Sequence, residues 1–146
     1  MAYIVKFVQP FYTNKLKEIV KAPKVFFVDT GIRNSLLPDF RSERPDIGAL
    51  FENYVFSELI KLGFKPKYRQ IKTSAEVDFV VESEGPIGIE AKYGTRDRIG
   101  GGARSFIEAY KPKKMLIISQ TEKTEKIGET EIIFAGIEKL KEILKA

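Results

Sequence analysis

The chain has 146 residues, 43% hydrophobic and 31% charged, with a formal net charge of +5, a composition that suits one soluble domain with a core of its own. It has no cysteine and no histidine, which excludes disulfides, thiolate metal sites, thiol nucleophiles, imidazole bases and Ser-His-Asp hydrolysis. Any metal must be held by oxygen, which favours Mg²⁺, Mn²⁺ or Ca²⁺; no apolar run reaches the roughly 18 residues of a membrane span, and MAYIVKFVQPF lacks signal-peptide features, so a cytoplasmic location is expected.

Residues 3–9 and 24–29 read as strands joined by a polar link. Residues 30–37 read as a short helix capped by Asp29 or Thr30, and 38–45 as a loop. A stronger helix over 46–62 ends at Gly63. Strands are expected at 66–71, 76–82 and 87–93, followed by a loop over 96–102. A helix over 103–110 closes before Pro112. Residues 114–119 form a continuous apolar run, as in a strand buried on both faces. A short strand at 131–134 and an amphipathic helix over 136–144 complete the chain. The order predicts an α/β fold: a mixed sheet flanked by helices, with residues 1–40 as an N-terminal β-hairpin and short-helix extension and residues 41–146 as the main domain.

The segment AEVDFVVESEGPIGIEAKYG concentrates the chemistry. Two strand-like runs meet at the turn Ser83-Glu84-Gly85-Pro86. Strict alternation puts Val77, Phe79 and Val81 in the core and Glu76, Asp78 and Val80 on the other face. It puts Ile87, Ile89 and Ala91 on one side and Gly88, Glu90 and Lys92 on the opposite one. Gly88 then leaves space beside Glu90 for an ion or a phosphate. In GALFENYVFSEL, Glu52 shares a helical stripe with Val55, Phe56 and Leu59, where a carboxylate is costly unless paired or metal-bound. Glu58, on a stripe with Tyr54 and Leu62, is the weaker candidate. Asp78, Glu90 and the carbonyl of Ala91, completed by Glu52, would hold Mg²⁺, and Lys92 would orient a water or stabilise the transition state at phosphorus.

The stretch Lys61, Lys65, Lys67, Arg69, Lys72 carries no acid, and Lys67, Arg69 and Lys72 are the candidates in it for tracking a nucleic-acid backbone. Tyr68 is placed to stack on a base or to join the core. Arg96, Arg98 and Arg104 surround Gly100-Gly101-Gly102 at a helix start, where arginines and backbone amides grip phosphate. Asp29-Thr30-Gly31 has the form of the aspartic-protease triplet. That chemistry needs two carboxylates sharing a proton, so one copy demands a symmetric dimer. The simpler reading is a strand-to-helix turn capped by Asp29.

GALFENYVFSEL, followed by AEVDFV and IGIEAKYG, resembles the PD-(D/E)XK, or restriction-endonuclease-like, nuclease superfamily. The resemblance implies an α-β-β-β-α-β core and places Glu52, Asp78, Glu90 and Lys92 on the four active-site positions. Val77 stands where the motif's name has proline. It implies a metal-dependent endonuclease using Mg²⁺ or Mn²⁺ on DNA and, by analogy with that class, a homodimer. Over nearly its whole length, with KVFFVDTGIRNSLL included, the chain also resembles the C-terminal domain of bacterial and archaeal AAA-type ATPases. There a P-loop ATPase and a winged helix usually precede this domain, so residues 1–40 would be the remainder of a wing and an ATPase would be a partner. The chain has no G-x-x-x-x-G-K-[ST]. The alternative function is a non-catalytic module binding DNA or that ATPase.

Overall fold

The computed structural model describes residues 3–12, 21–72 and 75–145, with backbone alone at 71 and 72. Strands β1 (Val5–Val8) and β2 (Lys24–Phe27) pair antiparallel in a sheet of their own, with Phe7 opposite Val25. Part of the link between them lies outside the described residues. Helix α1 (Thr30–Leu36) follows at once, and the Asp29 side chain accepts the N–H groups of Gly31 at 2.7 Å and Ile32 at 3.2 Å. The Asp29-Thr30-Gly31 triplet is therefore a helix cap, with its carboxylate committed to orphan backbone donors.

Helix α2 (Ile47–Lys61) closes at Leu62, and Gly63 takes φ +89°, the left-handed conformation that glycine adopts without strain. Its buried stripe of Val55, Phe56 and Leu59 packs on the main sheet. The N-terminal hairpin is pinned to this helix. Asn53 Oδ1 accepts the N–H of Phe27 at 2.9 Å, and Asn53 Nδ2 donates to the Phe27 carbonyl at 2.8 Å. Ser57 Oγ donates to the carbonyl of Val28. Phe26 reaches the core and stacks on Phe56, ring centroids 4.9 Å apart. Arg33 and Arg44, both buried, converge on Asp46 and tie α1 to the start of α2.

The main sheet contains β3 (Lys67–Lys72), β4 (Ala75–Glu82), β5 (Pro86–Ala91), β6 (Lys114–Ile118), β7 (Lys123–Ile127) and β8 (Thr130–Ala135). Their spatial order is β3-β4-β5-β6-β8-β7. The first three form an antiparallel meander. Helix α3 (Gly101–Tyr110) then crosses over to β6, which pairs parallel with β5 and with β8. This is the mixed, helix-flanked sheet that the element order predicts. Two elements differ from expectation. The polar run KTEKI is β7, an edge strand with no apolar alternation to reveal it. A 3₁₀ turn (Ile137–Lys139) leads into a shorter helix, α4 (Leu140–Lys145), where one continuous helix is expected.

Two apolar clusters fill the two faces of the sheet. Phe79, Val81, Ile87, Ile89, Leu116 and Ile118 pack with α2. Val77, Val80, Met115, Ile117 and Ile132 pack with Ala103 and Phe106 of α3. Strict alternation puts Val77 beside Phe79 and Val81, and the structure corrects this. Lys67 lies opposite Val80 but Arg69 lies opposite Val77, so β4 carries one extra residue and the bulge falls at Asp78 and Phe79.

Candidate active site

The bulge shapes the site. The β4–β5 ladder runs from Glu82 opposite Pro86 to Phe79 opposite Ile89 and stops there. Beyond it, Asp78 Oδ2 accepts the N–H of Ala91 at 2.8 Å. A regular ladder would have set Asp78 directly across from Glu90 on one face. The extra residue turns Asp78 toward α2 instead.

There it meets Glu52. One carboxylate oxygen each from Glu52, Glu76 and Asp78 lies within 4.8 Å of the other two. Lys24, the first residue of β2, pairs with Glu52 Oε1 at 3.7 Å and with Glu76 Oε1. Lys92 Nζ stands 3.9 Å from Asp78 Oδ2 and 3.7 Å from Glu90 Oε2. Glu90 itself is buried on the α3 side, where it accepts the N–H of Ala103 in the first turn of that helix. Its carboxylate does not join the group of three; Lys92 links it to Asp78.

Burial pushes the Glu52 carboxyl above the usual range, and the Asp78 charge adds to this, while Lys24 and Lys92 pull it back. Burial likewise raises Asp78, opposed by Lys92 and by the Ala91 N–H. Glu90 is raised by burial and by Asp78, against Lys92. Four carboxylates thus face two ammonium groups, and the centre carries an excess of negative charge in a poorly solvated setting. It opens on a cleft of about 430 Å³ lined by Glu52, Asp78, Lys92, Tyr93 and Arg96. An adjoining groove of about 300 Å³ is lined by Ile47, Phe51, Tyr54 and Tyr93.

The structure places the other sequence candidates differently. Gly88 leaves no room for an ion or phosphate: a Cβ there would stand 2.5 Å from Met115 Sδ and 2.8 Å from the Phe106 ring. Its missing side chain admits the α3 core. Arg69 is buried, with its guanidinium over the rings of Phe106, at 5.8 Å, and Tyr110, at 5.0 Å, so it presents nothing to a DNA backbone. Tyr68 is also buried, and its hydroxyl donates to the Ala22 carbonyl at 2.7 Å. Lys67 is half-buried, and the side chain of Lys72 lies outside the described residues. Arg96, Arg98 and Arg104 are exposed, and of these Arg96 lines the cleft. Glu58 pairs with Lys61 at 2.8 Å, away from the centre.

Three contributing residues escape sequence reasoning. Glu76 had a signal, being two residues from Asp78 in one strand. Lys24 and Asn53 had none, because their partners come from elements distant in sequence.

Residues 47–139 match the family described as a domain of unknown function (DUF4143), and residues 1–43 match a second described in the same terms (DUF8612). Uncharacterized proteins of Mycobacterium bovis and Mycobacterium tuberculosis are each 30% identical to the chain over 125 residues, covering 80% of it and 28% of their own length. The chain thus spans 28% of the length of the curated relatives it matches. No solved structure matches it.

Proposed function

The chain belongs to the DUF4143 family, and we propose that its acidic centre is the metal site of a phosphodiester hydrolase acting on DNA. The observation that carries this reading is the meeting of Glu52, Glu76 and Asp78 beside Lys92 in a cleft that Arg96 also lines. The element order α2-β3-β4-β5-α3-β6 supports it, being the α-β-β-β-α-β order of the restriction-endonuclease-like core.

The residues fit a hard divalent ion. Three carboxylates offer oxygens at close range, and they lie in a setting that disfavours bare negative charge. Glu52, Glu76 and Asp78 would hold Mg²⁺ or Mn²⁺, with the Ala91 carbonyl at hand. When bound, the ion supplies positive charge against the phosphate and a water of lowered pKa. Lys92, held between Asp78 and Glu90, offers its ammonium to the non-bridging oxygens as charge builds on them. Glu90, anchored at the start of α3, keeps Lys92 in that position. Arg96 takes a neighbouring phosphate, and the exposed ring of Tyr93 gives a base a stacking face.

The test is Mg²⁺- or Mn²⁺-dependent cleavage of plasmid, branched and single-stranded DNA. Cleavage undiminished in Asp78→Ala or Lys92→Ala would sink the proposed site. A homodimer that sets two centres on two strands belongs to the same proposal and is read by sedimentation. No helix among the described residues is long and apolar enough to cross a membrane, and the cytoplasmic location is likewise proposed.

One observation favours a second reading, a non-catalytic module that binds DNA or an ATPase partner. Lys24 already pairs with two of the carboxylates. DNA binding without cleavage under every metal tried, and no Mn²⁺ heat in calorimetry, would select it.

A further inference from the structure

We propose that Lys24 is the resident counter-cation of the acidic centre, and that a divalent ion enters by displacing it. The proposal rests on the metal reading above and adds a residue of the N-terminal hairpin to the site. The Lys24 ammonium lies 3.7 Å from Glu52 Oε1 and against Glu76 Oε1. These belong to two of the three carboxylates whose oxygens gather within 4.8 Å. An ion bonded to carboxylate oxygens at about 2.0–2.6 Å must occupy the space into which Lys24 now points. Two cations cannot share those oxygens without strong repulsion in a poorly solvated pocket.

The seat of Lys24 is built rather than incidental. Its ammonium lies 5.2 Å from the centroid of the Tyr68 ring, and the Tyr68 hydroxyl is fixed on Ala22, two residues upstream of Lys24. Downstream, Asn53 holds Phe27 and Ser57 holds Val28. The backbone on both sides of Lys24 is thus fastened to the main domain, so the hairpin delivers one positive charge to one place. Lys24 compensates Glu52 and Glu76 while no ion is present, and its four-carbon stem lets the ammonium swing out when one arrives. Lys92 cannot serve in its stead, because it is already shared between Asp78 and Glu90.

The experiment is calorimetric titration of Mn²⁺ into the wild-type chain, Lys24→Met and Lys24→Arg, with no DNA present. Lys24→Met keeps the apolar stem and deletes the charge, and is expected to bind Mn²⁺ about tenfold more tightly or better. Lys24→Arg keeps the charge and is expected to stay close to wild type. Equal or weaker binding by Lys24→Met, with wild type binding normally, overturns this proposal alone. Binding by none of the three overturns the metal reading together with it. A second measurement needs no variant. Acylation of the wild-type chain, read by mass spectrometry, should show Lys24 becoming more reactive when Mg²⁺ is added, with Lys113 as an exposed reference. Reactivity of Lys24 unchanged or lowered by Mg²⁺ overturns the displacement.

Discussion

Glu52, Asp78 and Glu90 are carboxyls that burial pushes upward, and the direction fixes how they act on stability. A carboxyl that holds its proton more tightly in the folded than in the unfolded chain stabilises the fold while both states are protonated. That contribution is lost as pH rises through the folded value. Above it, each ionised group is a cost, offset only in part by Lys24 and Lys92. Glu52→Gln is therefore expected to raise Tm at pH 8 by a few degrees, on the order of 1 kcal/mol, with the gain shrinking toward the acid end where the wild-type carboxyl is protonated. The same substitution should remove most Mn²⁺ affinity and any cleavage. Mg²⁺ should stabilise the wild type and leave the variant unmoved, since only a ligand of the folded state raises stability. Thermal melts at two pH values, with and without Mg²⁺, check all three effects. A variant no more stable than wild type at pH 8 would show that Lys24 fully compensates Glu52. At this scale Glu52, Asp78 and Lys92 were legible because a charged residue on an apolar stripe, or in an apolar strand, stands out in one dimension. Lys24 was not, since an ion pair between a hairpin and a helix leaves no mark on either local pattern.

At the level of elements, the bulge in β4 aims the site. The apolar run that identifies β4 as a strand cannot show where one residue is added to its ladder. The misplacement of Val77 and the expectation that Asp78 and Glu90 share one sheet face both follow from that unseen extra residue. Gly88 gives a test of the corrected packing. Gly88→Ala would drive a methyl group into Met115 and Phe106, so a loss of about 1–3 kcal/mol is expected from overpacking, read as a lower Tm. If Gly88 bordered open space for a phosphate, the variant would melt like wild type and lose only activity. Asn53 gives a test of the hairpin. Asn53→Ala removes both hydrogen bonds to Phe27 and should cost about 1–3 kcal/mol. Exchange at the Phe27 amide should accelerate far more than exchange in β6. Strand β7 was invisible for a different reason: three of its five residues are charged, and Lys123 lies 4.5 Å from the centroid of the Phe134 ring, so an apolar surface is covered by a residue that reads as polar.

For the whole molecule, the net charge of +5 sits around a centre that is locally negative. DNA approach and DNA cutting therefore depend on different residues. The basic run Lys61 to Lys72 suggests a phosphate track, but a strand sends alternate side chains to opposite faces, and Arg69 goes inward over Phe106 and Tyr110. Arg96, in contrast, lines the cleft beside Lys92. The two arginines make opposite predictions. Arg96→Ala should weaken DNA binding several-fold and reduce the salt dependence of log K by about one, the signature of one lost phosphate contact, with Tm unchanged. Arg69→Ala should lower Tm by several degrees, because it empties a buried place over the Phe106 and Tyr110 rings, and should leave the salt slope of the folded protein as it is. Fluorescence anisotropy of a labelled duplex across a salt series, paired with melting curves, separates them. If Arg69→Ala lost the salt-dependent contact and Arg96→Ala did not, the DNA path would have to run along the β3 edge, where Gln9 and Phe11 already occupy the backbone of Tyr68, and the cleft would lose its claim to the substrate.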